Sequence, residues 1–175
     1  YAARDDSGER IVRDGVAGPV FERVAVPTLS DDGGRLAYGA RVDGKWHVHV
    51  EGAADRAFEH VGLPVLAGPH WGYVARDSGR RHVVVDGVAR SAWADASDLA
   101  LSSSGRHAHL AWRDRQRIVV SDVSEHALEL AVDGTLTFSS DGRRWGCIAG
   151  SLRDRQLFVL AEGDPPAVLA HTSFP

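Results

Sequence analysis

The sequence predicts an all-β fold: a β-propeller of five four-stranded blades, with the N- and C-terminal strands closing one blade. Three observations carry this. "YAARDDSGERIVRDG" at residues 1–15 returns as "YVARDSGRRHVVVDG" at residues 73–87, so the chain is internally repetitive. Each repeat alternates β-branched and aromatic runs with Gly- and Asp-rich turns. No stretch carries the 3.6-residue apolar period of an amphipathic helix.

The repeat is anchored by Tyr1, Tyr38, Tyr73, Leu110 and Cys147, at steps of 37, 35, 37 and 37 residues. The anchor strand comes first, and an arginine follows three residues after each of the first four anchors: Arg4, Arg41, Arg76 and Arg113. The fifth copy has an insertion and offers Arg153. Next come "ERIVRDG", "KWHVHVEG", "RHVVVDG", "QRIVVSD" and "RQLFVLAEG", read as strands from their Val, Ile, Trp and Phe content. Most of these runs end in Asp-Gly or Glu-Gly, where glycine accepts the positive φ of a tight hairpin turn. A short strand with a bulky apolar residue follows (Phe21, Phe58, Trp93, Leu128, then the weaker "AVLA"). Ahead of each later anchor stands one more strand and a polar turn: "PTLSDDGGRLAY", "PVLAGPHWGY", "LALSSSGRHAHL" and "LTFSSDGRRWGC".

Four-stranded units of this length cannot bury their faces alone, and radial stacking covers them while leaving only short edges. The expected blades are 1–24 plus 171–175, 26–61, 63–97, 98–133 and 135–170, all in one domain spanning 1–175. Residues 1–24 supply three strands of a blade. The tail "LAHTSFP" stands one repeat after Leu136, Thr137 and Phe138, where it would supply the fourth, with Thr172, Ser173 and Phe174 in the strand. A fragment of a larger ring is the alternative.

"LSDDGGRLAYGARVDGKWHVHVEG" and "FSSDGRRWGCIAGSLRDRQLFVL" resemble the TolB-type, WD-like repeat, whose core reads roughly "FSPDGKRIAYxAxxxGxxxIYVxDxxG". The resemblance covers nearly the whole chain. The third repeat departs from it with "LAGPHWGY", and the fourth lacks the anchor aromatic. It implies a propeller and no single activity, since such repeats serve as interaction platforms and as gating domains of serine peptidases.

A net charge of −4 and a pI near 6.1 offer no basic field for nucleic acid or an anionic membrane surface. No apolar run approaches a spanning helix, and no charged-then-apolar leader opens the chain. One cysteine, Cys147, excludes an internal disulfide, and its place on an anchor strand reads as a small buried apolar residue.

The candidate binding residues are Arg4, Arg41, Arg76, Arg113 and Arg153, which strand order places as a ring on one rim. A guanidinium ring suits a carboxylate or phosphate. The competing reading pairs each arginine with an aspartate of its own loop or the next blade. The other rim is expected to carry Asp14, Glu51, Asp86, Asp122 and Glu162, diluted by Arg35, Arg106, Arg143 and Arg144. His47 with His49, and His107 with His109, share strand faces but lack a third ligand at a telling spacing, so no metal is expected. Of the five tryptophans, Trp46, Trp71, Trp93, Trp112 and Trp145, Trp71 and Trp145 occupy equivalent positions read as core between blades, and an aromatic cage for a sugar or a cation is the alternative reading. No nucleophile elbow, zinc-protease motif or phosphate loop is present, so no catalytic residue and no cofactor are assigned.

The expected function is non-enzymatic: a scaffold that docks a protein or peptide on a rim or in a central channel. Binding of an anionic small molecule or glycan, and service as an accessory domain of a longer enzyme, are the alternatives. Nucleic acid and membrane partners are not expected.

Overall fold

In the computed structural model, residues 1–128, 131–132, 136–151, 156–162 and 167–171 are described. Among them every regular element is a β-strand, and no helix is long and apolar enough to cross a membrane. The strands form five separate antiparallel sheets, in the order of the sequence repeats.

The first sheet holds β1 (Ala2–Asp5), β2 (Gly8–Arg13) and β3 (Val16–Ala17). The second holds β4 (Arg23–Val24), β5 (Thr28–Leu29), β6 (Leu36–Val42), β7 (Lys45–Val50) and β8 (Ala53–Ala54). The third holds β9 (His60–Val61), β10 (Val65–Ala67), β11 (His70–Asp77), β12 (Arg80–Val85) and β13 (Val88–Trp93). In the fourth are β14 (Ala96–Leu101), β15 (His107–Arg113), β16 (Gln116–Ser121) and β17 (Glu125–Leu128). The fifth has β18 (Ala131–Val132), β19 (Thr137–Phe138), β20 (Trp145–Ser151), β21 (Gln156–Ala161) and β22 (Ala167–His171).

The anchor residues take one ladder position throughout: Tyr38 faces His49, Tyr73 faces Val84, Leu110 faces Val119 and Cys147 faces Leu160. In the second and third sheets the strand ahead of the anchor is divided where proline intervenes, while in the fifth β18 and β19 both pair with β20 with no proline between them. β4 and β5 both pair with β6 on either side of Pro27, and β9 and β10 both pair with β11 on either side of Pro64. Proline has no N–H to give a ladder, so the pairing stops there. In β14, which contains no proline, the strand runs unbroken apart from a bulge between Ser97 and Ala100.

Hairpin turns between the second and third, and third and fourth, strands place two residues at positive φ. Asp43-Gly44 (50° and 74°), Asp14-Gly15 (50° and 79°) and Asp86-Gly87 (50° and 76°) are examples. This is the type I′ pattern that matches strand twist. The fourth repeat puts Arg115 in the second such position at 68°. Its hairpin is also shorter by one ladder pair: Arg113 faces Gln116 next to the turn, whereas in the second sheet Val42 and Lys45 stand between the Arg41 pair and the turn.

Two compact units emerge, Tyr1–Ala92 and Trp93–Pro175. In the first, Ile11, Tyr38 and Ala40 form one core cluster, with Phe21 packed against it. A second cluster joins Val48, Val50 and Phe58 of one repeat to Tyr73, Ala75 and Val84 of the next. In the second unit, Leu110, Val119 and Leu128 pack with Leu136, Trp145 and Cys147. Each cluster draws on two successive repeats. Full burial of a valine- or leucine-sized side chain is worth roughly 1.5–3 kcal/mol, so neighbouring repeats stabilise one another.

Candidate functional site

Arg4, Arg41, Arg76 and Arg113 all sit near the turn end of an anchor strand. Three have acidic partners, and these are glutamates instead of the aspartates of their own loop or the next blade that the sequence suggests. Arg4 lies 3.9 Å from Glu9, the residue directly opposite it in the ladder. Arg41 lies 3.6 Å from Glu22, whose own N–H donates to the Arg41 carbonyl. Arg113 donates from both terminal nitrogens to Glu125, at 2.6 and 3.0 Å. That fork holds the Glu125 carboxyl below its ordinary range. Arg76 is exposed and has no acidic partner among the described residues. Arg153 lies outside the described residues.

The acids at the opposite ends of the strands are not a free acidic fringe either. In three repeats the turn acid reaches back to a basic residue sixteen positions earlier. Glu51 lies 3.9 Å from Arg35, Asp86 lies 2.7 Å from His70 Nδ1, and Asp122 lies 3.3 Å from Arg106. Glu51 and Asp86 also accept from the N–H groups of Leu36 (3.3 Å) and Trp71 (3.0 Å). Asp14 takes Arg13 as partner at 3.5 Å. The constant spacing is a signal that was present in the sequence.

The three arginines among those basic residues have a second engagement, with the next repeat. Arg13 donates to the carbonyls of Gly33 (3.3 Å) and Gly34 (2.9 Å). Arg35 donates to the Gly68 carbonyl at 2.6 Å and reaches that of His70 at 3.5 Å. In the second unit, Arg106 donates to the Arg143 carbonyl and, at 3.0 and 3.1 Å, to both oxygens of Glu162. Each is a clamp fastening one repeat's turn to its successor's.

On this clamped edge of the first unit lies an open cleft of about 480 Å3. Its apolar lining comes from Ile11, Val16, Leu36 and Tyr38, and its charged lining from Arg13, Asp14 and Glu51. Ile11 and Tyr38 are buried, whereas Val16 is 72% exposed. A smaller cleft of about 240 Å3 shares Ile11, Arg13, Asp14 and Leu36 with it, and adds Tyr1, Pro27 and Leu29. A third, of about 320 Å3, holds Arg41 with Glu22 and Asp43 at the other end of the strands.

The remaining candidates are committed to packing. Trp145 is buried, and Trp71 stacks on Tyr73 with ring centroids 6.0 Å apart. Trp93 and Trp112 each carry an arginine of the protein itself over the ring, Arg113 at 5.1 Å and Arg117 at 4.9 Å. Cys147 is buried, and burial pushes its thiol up to about 11, so it is protonated at neutral pH. His47 Nδ1 bonds the Asp55 carbonyl at 2.9 Å, and His49 stacks on Tyr38 at 5.2 Å. His109 is 1% exposed, and neither ring nitrogen has a partner. Among the described residues no three His, Cys, Asp or Glu side chains are grouped to hold a metal ion.

No family model matches the chain, and no curated protein does. Among solved structures it is similar to TolB from Acinetobacter baumannii, at 14% identity with a TM-score of 0.55. The match covers 87% of this chain and 44% of that one, so the chain spans less than half the length of the TolB structure. The likeness is one of fold: all-β and TolB-like.

Proposed function

We propose that the chain is a non-enzymatic scaffold that binds a protein or peptide along the clamped edge of its turns. The observation that carries this is the pairing of a rigid frame with exposed apolar surface. Arginine clamps hold successive turns in place, and Tyr1, Val16 and Leu29 stand exposed among them. Preorganised surface of this kind binds without a large ordering cost. The TolB-like fold supports the same reading. A purified partner tests it: the scaffold should form a saturable complex at fixed stoichiometry in analytical ultracentrifugation. A chain that forms no such complex, yet turns over a substrate, overturns it.

The arginine rim is a second reading, favoured by the unpaired Arg76. Titration with citrate or phosphate should then move the Arg76 guanidinium resonance and leave that of Arg113, already occupied by Glu125, in place. The finer architectural reading, five blades with the two ends of the chain sharing one of them, belongs with these proposals. Deleting residues 172–175 should lower stability if it holds, and unchanged stability would refute it.

A further inference from the structure

The two adjoining clefts of the first unit combine exposed apolar groups with acidic side chains. Ile11 and Leu36 line both, Tyr38, Val16 and Ala17 line the larger, and Tyr1, Pro27 and Leu29 line the smaller. Tyr1 is 76% exposed and Leu29 54%, so apolar area is left in water there.

The charge follows from what the clamps do. Asp14, Asp31, Asp32, Glu51 and Asp86 lie in the turns of this edge, against Arg13 and Arg35. Asp14 and Glu51 line the larger cleft against Arg13, and with Asp31, Asp32 and Asp86 in the neighbouring turns the carboxylates of this edge outnumber its guanidiniums. Both arginines also face inward to carbonyl oxygens, of Gly33 and Gly34 and of Gly68. Their ion pairs with Asp14 and Glu51 are correspondingly long, at 3.5 and 3.9 Å, and the Asp14 carboxylate is 90% exposed. Asp14 and Glu51 thus keep long ion pairs while their carboxylates remain open to solvent.

Resting on the protein-binding reading, we propose that these clefts dock an extended partner segment in which Leu- or Phe-sized side chains are flanked by Lys or Arg. The apolar side chains enter over Ile11, Leu36 and Tyr38, and the flanking cations meet Asp14 and Glu51. Apolar burial supplies affinity, and the carboxylates supply orientation and association rate. An acidic segment meets like charge at Asp14 and Glu51, and a polar one leaves the apolar lining wet.

The test uses the full chain and fluorescence anisotropy of a short fluorescein-labelled peptide with a Leu-Phe centre between Lys-Arg pairs. It should saturate, and raising salt should weaken it. Replacing the Lys-Arg pairs by Asp-Glu, or the Leu-Phe centre by Ser-Ser, should abolish binding. Asp14→Asn with Glu51→Gln should weaken binding about tenfold and flatten its salt dependence. Val16→Arg, at an exposed position, should abolish binding with an unchanged melting temperature as evidence of folding. Equal binding of basic and acidic peptides, or affinity indifferent to both sets of substitutions, overturns the assignment. If the Val16→Arg protein still forms the complex expected of the scaffold, the clefts are wrong and the scaffold stands. If the unaltered chain forms no complex with any protein or peptide, the scaffold reading itself falls.

Discussion

Lowering the pH should destabilise this protein through His109 before its carboxylates titrate. A neutral imidazole carries one donor and one acceptor nitrogen, and at His109 both are buried without partners. Trp93 meets the ring edge-on at 5.9 Å, and His107 stacks parallel to it at 6.5 Å. Burial, reinforced by His107 and only partly opposed by Glu125, depresses His109 to about 4. Glu125 is itself held by Arg113, so it offers little to an imidazolium. In the unfolded chain the group titrates near 6.5, so below that pH the unfolded state binds a proton that the folded state refuses. Stability is complete above the unfolded value and is lost as pH falls toward the folded one. Between about pH 7.5 and about pH 4.5 the loss from this group comes to about 2.5 kcal/mol, at roughly 1.4 kcal/mol per unit. Urea unfolding at the two pH values measures it. His109→Ala, which installs the residue found at the equivalent Ala37, is the control. It should be less stable at neutral pH because of the cavity, but should lose about 2.5 kcal/mol less on acidification. An equal acid loss in both proteins, or a His109 proton resonance titrating near its ordinary value, would falsify the reasoning.

Three further outcomes follow from backbone and clamp geometry. Arg115→Gly should stabilise the protein by about 0.5–1 kcal/mol in thermal unfolding, since glycine holds a positive φ without the penalty of a Cβ and already does so at Gly44 and Gly79; a lower melting temperature would count against it. Gly8→Ala should destabilise by about 2 kcal/mol or more in urea, because φ is +137° and the new Cβ would lie 2.5 Å from the Phe21 carbonyl oxygen. Arg106→Met should cost about 1 kcal/mol after allowing for solvent screening, and high salt should narrow the gap to the unaltered protein; a salt-independent difference would show that packing, not the clamp, is lost.

The repeat was legible because strand composition and turn residues alternate so regularly: anchors as different as Tyr38 and Cys147 occupy one ladder position. The splitting of the leading strands of the second and third sheets was legible in principle from Pro27 and Pro64, since a missing N–H interrupts a ladder wherever it falls, whereas no proline announces the split between β18 and β19. What the chain order hid is what depends on register. Glu9 partners Arg4 because the hairpin sets them face to face, and Glu22 reaches Arg41 from the segment just ahead of β4. Neither pairing follows from adjacency, which points instead to Asp5 or Asp43. The clefts were hidden for a related reason. Val16 and Leu29 look like ordinary strand residues, and only the packing of the first two sheets reveals that their side chains are left uncovered.

The clamps have one more property. Arg13, Arg35 and Arg106 all grip main-chain oxygens of the following turn. A carbonyl is offered by every amino acid, so the grip is blind to which side chains that turn displays. Where Arg13 and Arg35 grip only carbonyls of the following turn, that turn's side chains can be rewritten without loosening the grip, whereas at Arg106 the Glu162 side chain shares the hold and is not free to change.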